Sequence, residues 1–310
     1  MKRVLAVIAA GAAGVVGYRR TTTTEVAPSL DAEQVGVPFG DHTIATYRRG
    51  SGAPIVLVHS VNAAASAAEM RPLFDRLPAD RRVVALDLLG YGRSSRPAER
   101  HTPESMSGGI EAVLEDLGEP CDIVALSLGC EFAARVAIDR PDLVRSLTLI
   151  SPTGMRSDQD RSFQVPALGA LIRSPIAGEL LYAALASKPS IGYFLGKSFR
   201  GPVDPGMKAD AHQTSRHRNA RFAPASFLEG VLFTPHAVEA LYERVSQPVL
   251  VIADEDPYTD FGALDCLLAR HHSWQWYRLS PHRGLPQFEQ PDATAAVIET
   301  FHRSPVEPTV

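Results

Sequence analysis

Cysteine is scarce in this chain. Cys121, Cys130 and Cys266 are the only three among 310 residues, too few and too scattered for a disulfide framework, and no pair has the short spacing of a zinc site. They read as buried thiols, with no metal. Positive charge is not in excess: 31 Lys and Arg against 35 Asp and Glu give a formal net charge of -4, so nothing draws a nucleic-acid backbone to the chain. Aromatic residues make up only 7%. An apolar run of roughly 20 residues, enough to cross a bilayer, is also missing.

The nearest approach to one is at the N-terminus. Lys2-Arg3 precede the uncharged run VLAVIAAGAAGVVG, Val4 to Gly17, and Tyr18-Arg19-Arg20 follow it. A basic stretch before a small-residue apolar stretch is the pattern of a signal peptide or short membrane anchor, here residues 1–20. The expectation is a membrane-tethered or exported protein, the alternative being a frayed helix in a cytoplasmic one. Thr21 to Asp31, with four consecutive threonines and a proline, reads as the linker, 21–34 in all.

What the chain does hold is apolar residue in quantity, 45% by composition, enough for a large core. Short runs rich in β-branched residues alternate with stretches of helical period. That alternation predicts an α/β fold, a mostly parallel sheet of about eight strands flanked by helices. The expected strands are Val35 to Phe39, Thr43 to Tyr47, Pro54 to His59, Arg82 to Asp87, Asp122 to Leu126, Ser146 to Ile150, Pro248 to Ala253 and Trp274 to Leu279. Runs such as IVLV and VLVI are apolar at every position, which suits a strand covered on both faces. Gly40-Asp41 predicts a tight antiparallel turn between the first two. Between about 152 and 246 the alternation stops, and helical clusters broken by Gly and Pro predict an insertion folded over the sheet as a lid. The folded domain is then 35–303, with 304–310 a tail.

Strand Asp122 to Leu126 runs into Ala125-Leu126-Ser127-Leu128-Gly129 and then a helix whose Phe132, Ala133, Val136 and Ala137 share one face. This is the nucleophile-elbow arrangement, with alanine for the first glycine. A serine in so sharp a turn needs small residues two before and two after it. The turn also sets Ser127 at a helix N-terminus, where the Leu128 N–H and the helix dipole favour a developing oxyanion.

With these motifs on the page the chain resembles the α/β-hydrolase fold superfamily, from about Val35 to Phe301. PIVLVHSVNAAAS resembles its oxyanion-loop segment, DLLGYGRSSRP (Asp87 to Pro97) its Asp-x-x-Gly-x-Gly-x-Ser loop, and PVLVIADEDPYTD the strand and loop that present the acid. The resemblance implies Ser127 as nucleophile, backbone N–H donors from Val61 and Leu128, Asp256 as the acid with Asp254 and Glu255 as neighbouring alternatives, and no cofactor. Ser60 stands where the family has glycine, which narrows the pocket. Ser60 and Asn62 offer polar contacts to a substrate, and Asn62 alternatively caps the next helix.

The family's catalytic histidine is the difficulty. In SPHRGLPQFEQP, Ser280 to Pro291, aligning the final helix places Gly284 at that position. Three accounts stay open: His282 moves in and completes a Ser127-His282-Asp256 triad; another histidine, His59 or His236, enters from elsewhere; or the site has become a binding pocket. His271 and His272 precede the last strand and are poorly placed. Arg283 either pairs with Asp256 or points to solvent. The resemblance implies hydrolysis of an ester or related acyl bond of a small, largely apolar substrate through an acyl-serine. The alternative is a non-hydrolytic member that uses the pocket for a ligand or partner.

Overall fold

The computed structural model describes residues 26–156, 164–175 and 177–303. The expected signal or anchor segment and the tail lie outside these residues. Eight strands form one sheet: β1 (Glu33–Phe39), β2 (His42–Arg49), β3 (Pro54–Val58), β4 (Arg82–Leu86), β5 (Cys121–Leu126), β6 (Val144–Ile150), β7 (Val249–Ile252) and β8 (Trp274–Tyr277). Their spatial order is β1-β2-β4-β3-β5-β6-β7-β8. β1 pairs antiparallel with β2, and β2 with β4. Every other pairing is parallel. The hairpin turns at Gly40, whose φ of +55° suits glycine.

Alternation along the strands sorts side chains onto two layers. Val56, Val58, Ile123, Ala125, Leu147 and Leu149 face one way. There they meet α2 (Pro103–Leu117) and α3 (Gly129–Asp139). Ile55, Leu57, Val124, Leu126 and Ile252 face the other, toward α1 (Arg71–Arg76) and the last helix. All five residues of β3 are buried, as a strand sandwiched by helices requires.

Between β6 and β7 the described elements are helices: α4 (Pro166–Arg173), α5 (Ala177–Leu185), α6 (Lys188–Lys197), α7 (Pro205–Thr214), α8 (Phe222–Glu229), α9 (Ala237–Ala240) and a 3-10 turn, Tyr242–Arg244. After β7 come α10 (Leu264–Arg270), α11 (Pro286–Glu289) and α12 (Pro291–Arg303). No single helix among the described residues is long and apolar enough to cross a membrane. The expectation of three buried thiols needs correcting at Cys266, which is exposed while Cys121 and Cys130 are buried. On α10 the core-facing residues are Leu264 and Leu267, and Cys266 falls on the outer side between them.

Candidate active site

The site forms where the parallel strands end at their carboxyl ends, the usual place for a ligand in an open α/β sheet. Ser127 follows β5 with φ of +54°, a left-handed conformation that a serine adopts only when its surroundings enforce it. Two things do so. Its N–H is held by the Ile150 carbonyl at 2.9 Å, and Gly129 presses so closely on the next strand's loop that a Cβ there would sit 2.5 Å from the His59 carbonyl oxygen. α3 then starts directly at Gly129.

The loop after β3 is held by a buried carboxylate. Glu69, 3% exposed, accepts the Ser60 N–H at 2.9 Å and the Asn62 Nδ2 at 2.7 Å. Asn62 Oδ1 takes the Ala64 N–H, so Asn62 shapes its own loop, and the cap of the following 3-10 helix is Ser66 instead. His59 is fastened at both nitrogens. Nε2 accepts the Leu88 N–H at 2.9 Å, which puts the proton on Nδ1, 2.6 Å from the Ser60 carbonyl. Held this way at both nitrogens, His59 ties its loop to the Leu88 backbone. The Val61 and Leu128 N–H groups, by contrast, have no acceptor among the described residues.

Ser127, Ser60, Val61, Asn62, Leu128 and Asp256 all border one cavity of about 1070 Å³, at the upper end for small-molecule sites. Leu185, Ile191, Phe194, Phe227 and Phe233, from the helical insertion, supply apolar wall. Of the three candidate acids Asp254, Glu255 and Asp256 in the loop after β7, only Asp256 borders the cavity, where Asp260 of the same loop joins it. Asp254 is paired with Arg278 at 2.8 Å and Glu255 with Arg200 at 2.8 Å. Asp256 Oδ1 accepts the Tyr258 N–H at 2.7 Å and the Thr259 N–H at 3.2 Å, and burial outweighs those bonds and lifts its pKa to about 6.

The loop after β8 places its residues differently from the triad expectation. His282 is fully buried and is not part of the cavity wall. Its Nδ1 accepts the Gly284 N–H at 3.2 Å, Nε2 has no partner, and burial lowers its pKa despite the nearby Asp254. Gly284 does border the cavity, with φ of +97°, and a Cβ on it would lie 2.6 Å from Asp256 Oδ2. Arg283 is exposed and donates its N–H to Glu289. His236, with φ of +53° at the start of α9, is the sole histidine among the described residues of the wall. The Ser127 hydroxyl makes no hydrogen bond to any described residue, and no metal-binding cluster of His, Cys, Asp or Glu occurs among them.

Sequence reasoning missed three buried acids of the wall, Glu69, Glu131 and Asp210. Glu131, 1% exposed, receives the Thr153 hydroxyl and the Thr234 N–H at 2.8 Å, and burial raises its pKa to about 7. The spacing was a usable signal, since four residues after Ser127 falls on the same helix face. Asp210 on α7 receives the Ser66 hydroxyl, and burial raises its pKa to about 6. Asp210 had no local sequence cue, because its partner Ser66 lies 144 residues away, whereas Glu69 sits only seven and nine residues from its partners and no short motif links them.

A mostly parallel eight-stranded sheet that delivers a strained serine from β5 into a covered cavity defines the class of protein. Residues 55–297 match the alpha/beta hydrolase family, and the chain belongs to it. It is 32% identical over 151 residues to a haloalkane dehalogenase of Agrobacterium fabrum, covering 48% of this chain and 49% of that protein. To a 2-hydroxymuconate semialdehyde hydrolase of Pseudomonas sp. (strain CF600) it is 34% identical over 109 residues, 34% of this chain and 38% of that one. The chain thus spans about half or less of the length of these curated relatives. Among solved structures, a haloalkane dehalogenase from Agrobacterium tumefaciens C58 superposes with TM-score 0.71 at 24% identity over 89% of this chain and 98% of that one. A serine hydrolase involved in carbazole degradation gives 0.70 at 17%, over 88% and 99%. At such identities these structural likenesses speak for the fold.

Proposed function

We propose that the chain is a serine hydrolase that cleaves an ester or related acyl bond of a small, largely apolar substrate through an acyl-Ser127 intermediate, without metal or organic cofactor. The observation that carries this reading is the strained Ser127, its hydroxyl unpartnered among the described residues, in one cavity with Val61 and Leu128, whose backbone N–H groups have no acceptor among those residues. Backbone N–H donors of this kind stabilise the oxygen of a tetrahedral intermediate. In this reading Ser127 Oγ attacks the acyl carbon, the two N–H groups hold the oxyanion, and Asp256 stabilises positive charge developing nearby. The insertion acts as a lid whose Leu, Ile and Phe side chains favour apolar acyl groups. Ser60 borders the substrate. Asn62 supports the loop more than the substrate, because its amide already serves Glu69 and Ala64.

His282 takes no part here. Its ring lies off the cavity with Nδ1 engaged by Gly284. The family's histidine position falls to Gly284 in this reading, so Ser127 acylation is slow unless a base comes from elsewhere. That same feature favours a second reading, a non-hydrolytic member that only binds its ligand in the cavity. Fluorophosphonate labelling of the folded protein, read by intact mass, separates the two. Adduct on the wild type and none on Ser127→Ala supports the hydrolase, and no adduct on either leaves the binding role.

Membrane tethering through residues 1–20 is part of the proposal, on the strength of the sequence pattern. Fractionation of the full chain against one starting at Thr21 tests it. Equal solubility of the two would remove it.

A further inference from the structure

Three of the four acids in the loop after β7 have an arginine of their own: Asp254 pairs with Arg278, Glu255 with Arg200 and Asp260 with Arg156. Asp256 has no cation partner among the described residues. Its Oδ1 takes the Tyr258 and Thr259 N–H groups, and no described donor reaches Oδ2, which lies beside the space that a side chain on Gly284 would fill. The cavity's own cations are engaged elsewhere, Arg156 with Asp260 and the Lys197 ammonium over the Tyr193 and Phe194 rings. Glu69 and Glu131 on the same wall already have a donor on each oxygen. A largely buried carboxylate with one oxygen unmet is costly to keep ionised, and its raised pKa has that origin. An occupant with both a positive charge and an N–H would offset the cost.

We propose that Asp256 is the specificity residue for a protonated amine on the substrate, which donates an N–H to Oδ2 while the rest of the molecule lies against the apolar side chains of the lid. This deepens the hydrolase reading and rests on it, narrowing the substrate class to esters that carry a primary or secondary ammonium group. A quaternary ammonium has the charge without the N–H, and an alcohol has a donor without the charge. Neither meets both needs of the carboxylate. Room for a nitrogen about 2.8 Å from Oδ2 is left by the missing side chain at position 284, since a Cβ there would stand at 2.6 Å.

The test measures binding to the full chain by titration calorimetry at neutral pH, with benzylamine, benzyl alcohol and benzyltrimethylammonium as probes. Benzylamine is expected to bind about tenfold or more tighter than either of the others. Asp256→Asn keeps the shape and removes the charge, and should bring benzylamine to within about twofold of benzyl alcohol. Gly284→Ala should do the same by filling the space at Oδ2, and it decides the matter where Asp256→Asn does not fold. Benzylamine that binds no tighter than benzyl alcohol or benzyltrimethylammonium, or a preference that survives in either folded variant, overturns the proposal. In turnover, matched esters that end in an ammonium or a methyl group should differ in kcat/KM by about tenfold or more, and Asp256→Asn should level that ratio whatever its absolute rate. The two readings fail separately. A Ser127 fluorophosphonate adduct without any preference for the amine leaves the hydrolase and removes the amine site, whereas tight amine binding with no adduct removes the hydrolase and leaves Asp256 as an amine anchor in a binding pocket.

Discussion

Asp256 Oδ2 and the Gly284 backbone face one another with no side chain between them, and a Cβ on Gly284 would stand 2.6 Å from that oxygen. Glycine also suits the local conformation, with φ of +97°. The open space at Asp256 Oδ2 therefore depends on the absence of a side chain at position 284.

Gly284→Ala is expected to lower unfolding free energy by about 1–3 kcal/mol through backbone strain and displacement of the carboxylate. Urea denaturation measures the effect. A variant as stable as wild type would contradict the backbone conformation described.

Glu69 is a positioning residue for the Val61 turn, since it takes the N–H of Ser60 and the amide of Asn62. Removing it in Glu69→Ala leaves two donors without their acceptor, at a cost of about 2–4 kcal/mol. Ser127 labelling should slow by about tenfold while far-UV circular dichroism stays native, and Glu69→Asp should recover part of the rate. Unchanged labelling in a folded Glu69→Ala protein would sever the loop from the oxyanion site.

Glu131 ties the Ser127 helix to the end of the insertion through Thr153 and Thr234. Its folded pKa of about 7 lies above the usual carboxyl value, so between pH 4.5 and 7 the folded protein keeps a proton that the unfolded chain releases. The stabilisation is complete below the unfolded pKa and declines as pH rises through about 7. The stability difference between wild type and Glu131→Ala should accordingly be greater at pH 5 than at pH 8, by about 1–3 kcal/mol. Thermal unfolding at both pH values decides it, and a difference that grows with pH would refute the account.

At the elbow, Gly129→Ala drives a methyl group to within 2.5 Å of the His59 carbonyl oxygen, a backbone atom directly after β3. The expected loss is about 1–3 kcal/mol together with slower labelling of Ser127, because the elbow and the oxyanion loop are forced apart. Guanidinium titration and the labelling rate report it. Native behaviour in both would mean that the close approach is not needed.

The sequence by itself determined the sheet and the serine, because both are encoded locally. Strand runs apolar at every position could only be central, and β3 and β7 appeared where IVLV and VLVI stand. The small residues around Ser127 could only serve a tight turn, and its φ of +54° follows. Tertiary structure decided the rest. That Asp256 borders the cavity while Asp254 pairs with Arg278 and Glu255 with Arg200 turns on neighbours far along the chain. Whether a histidine two residues from Gly284 would reach the cavity depended on the path of a loop, and that path seals His282 beneath it. Asp210 met its partner Ser66 only when segments 144 residues apart came together. Periodicity and turn chemistry act over a few residues, whereas burial, charge pairing and the direction of a loop side chain are set by contacts that no local pattern records.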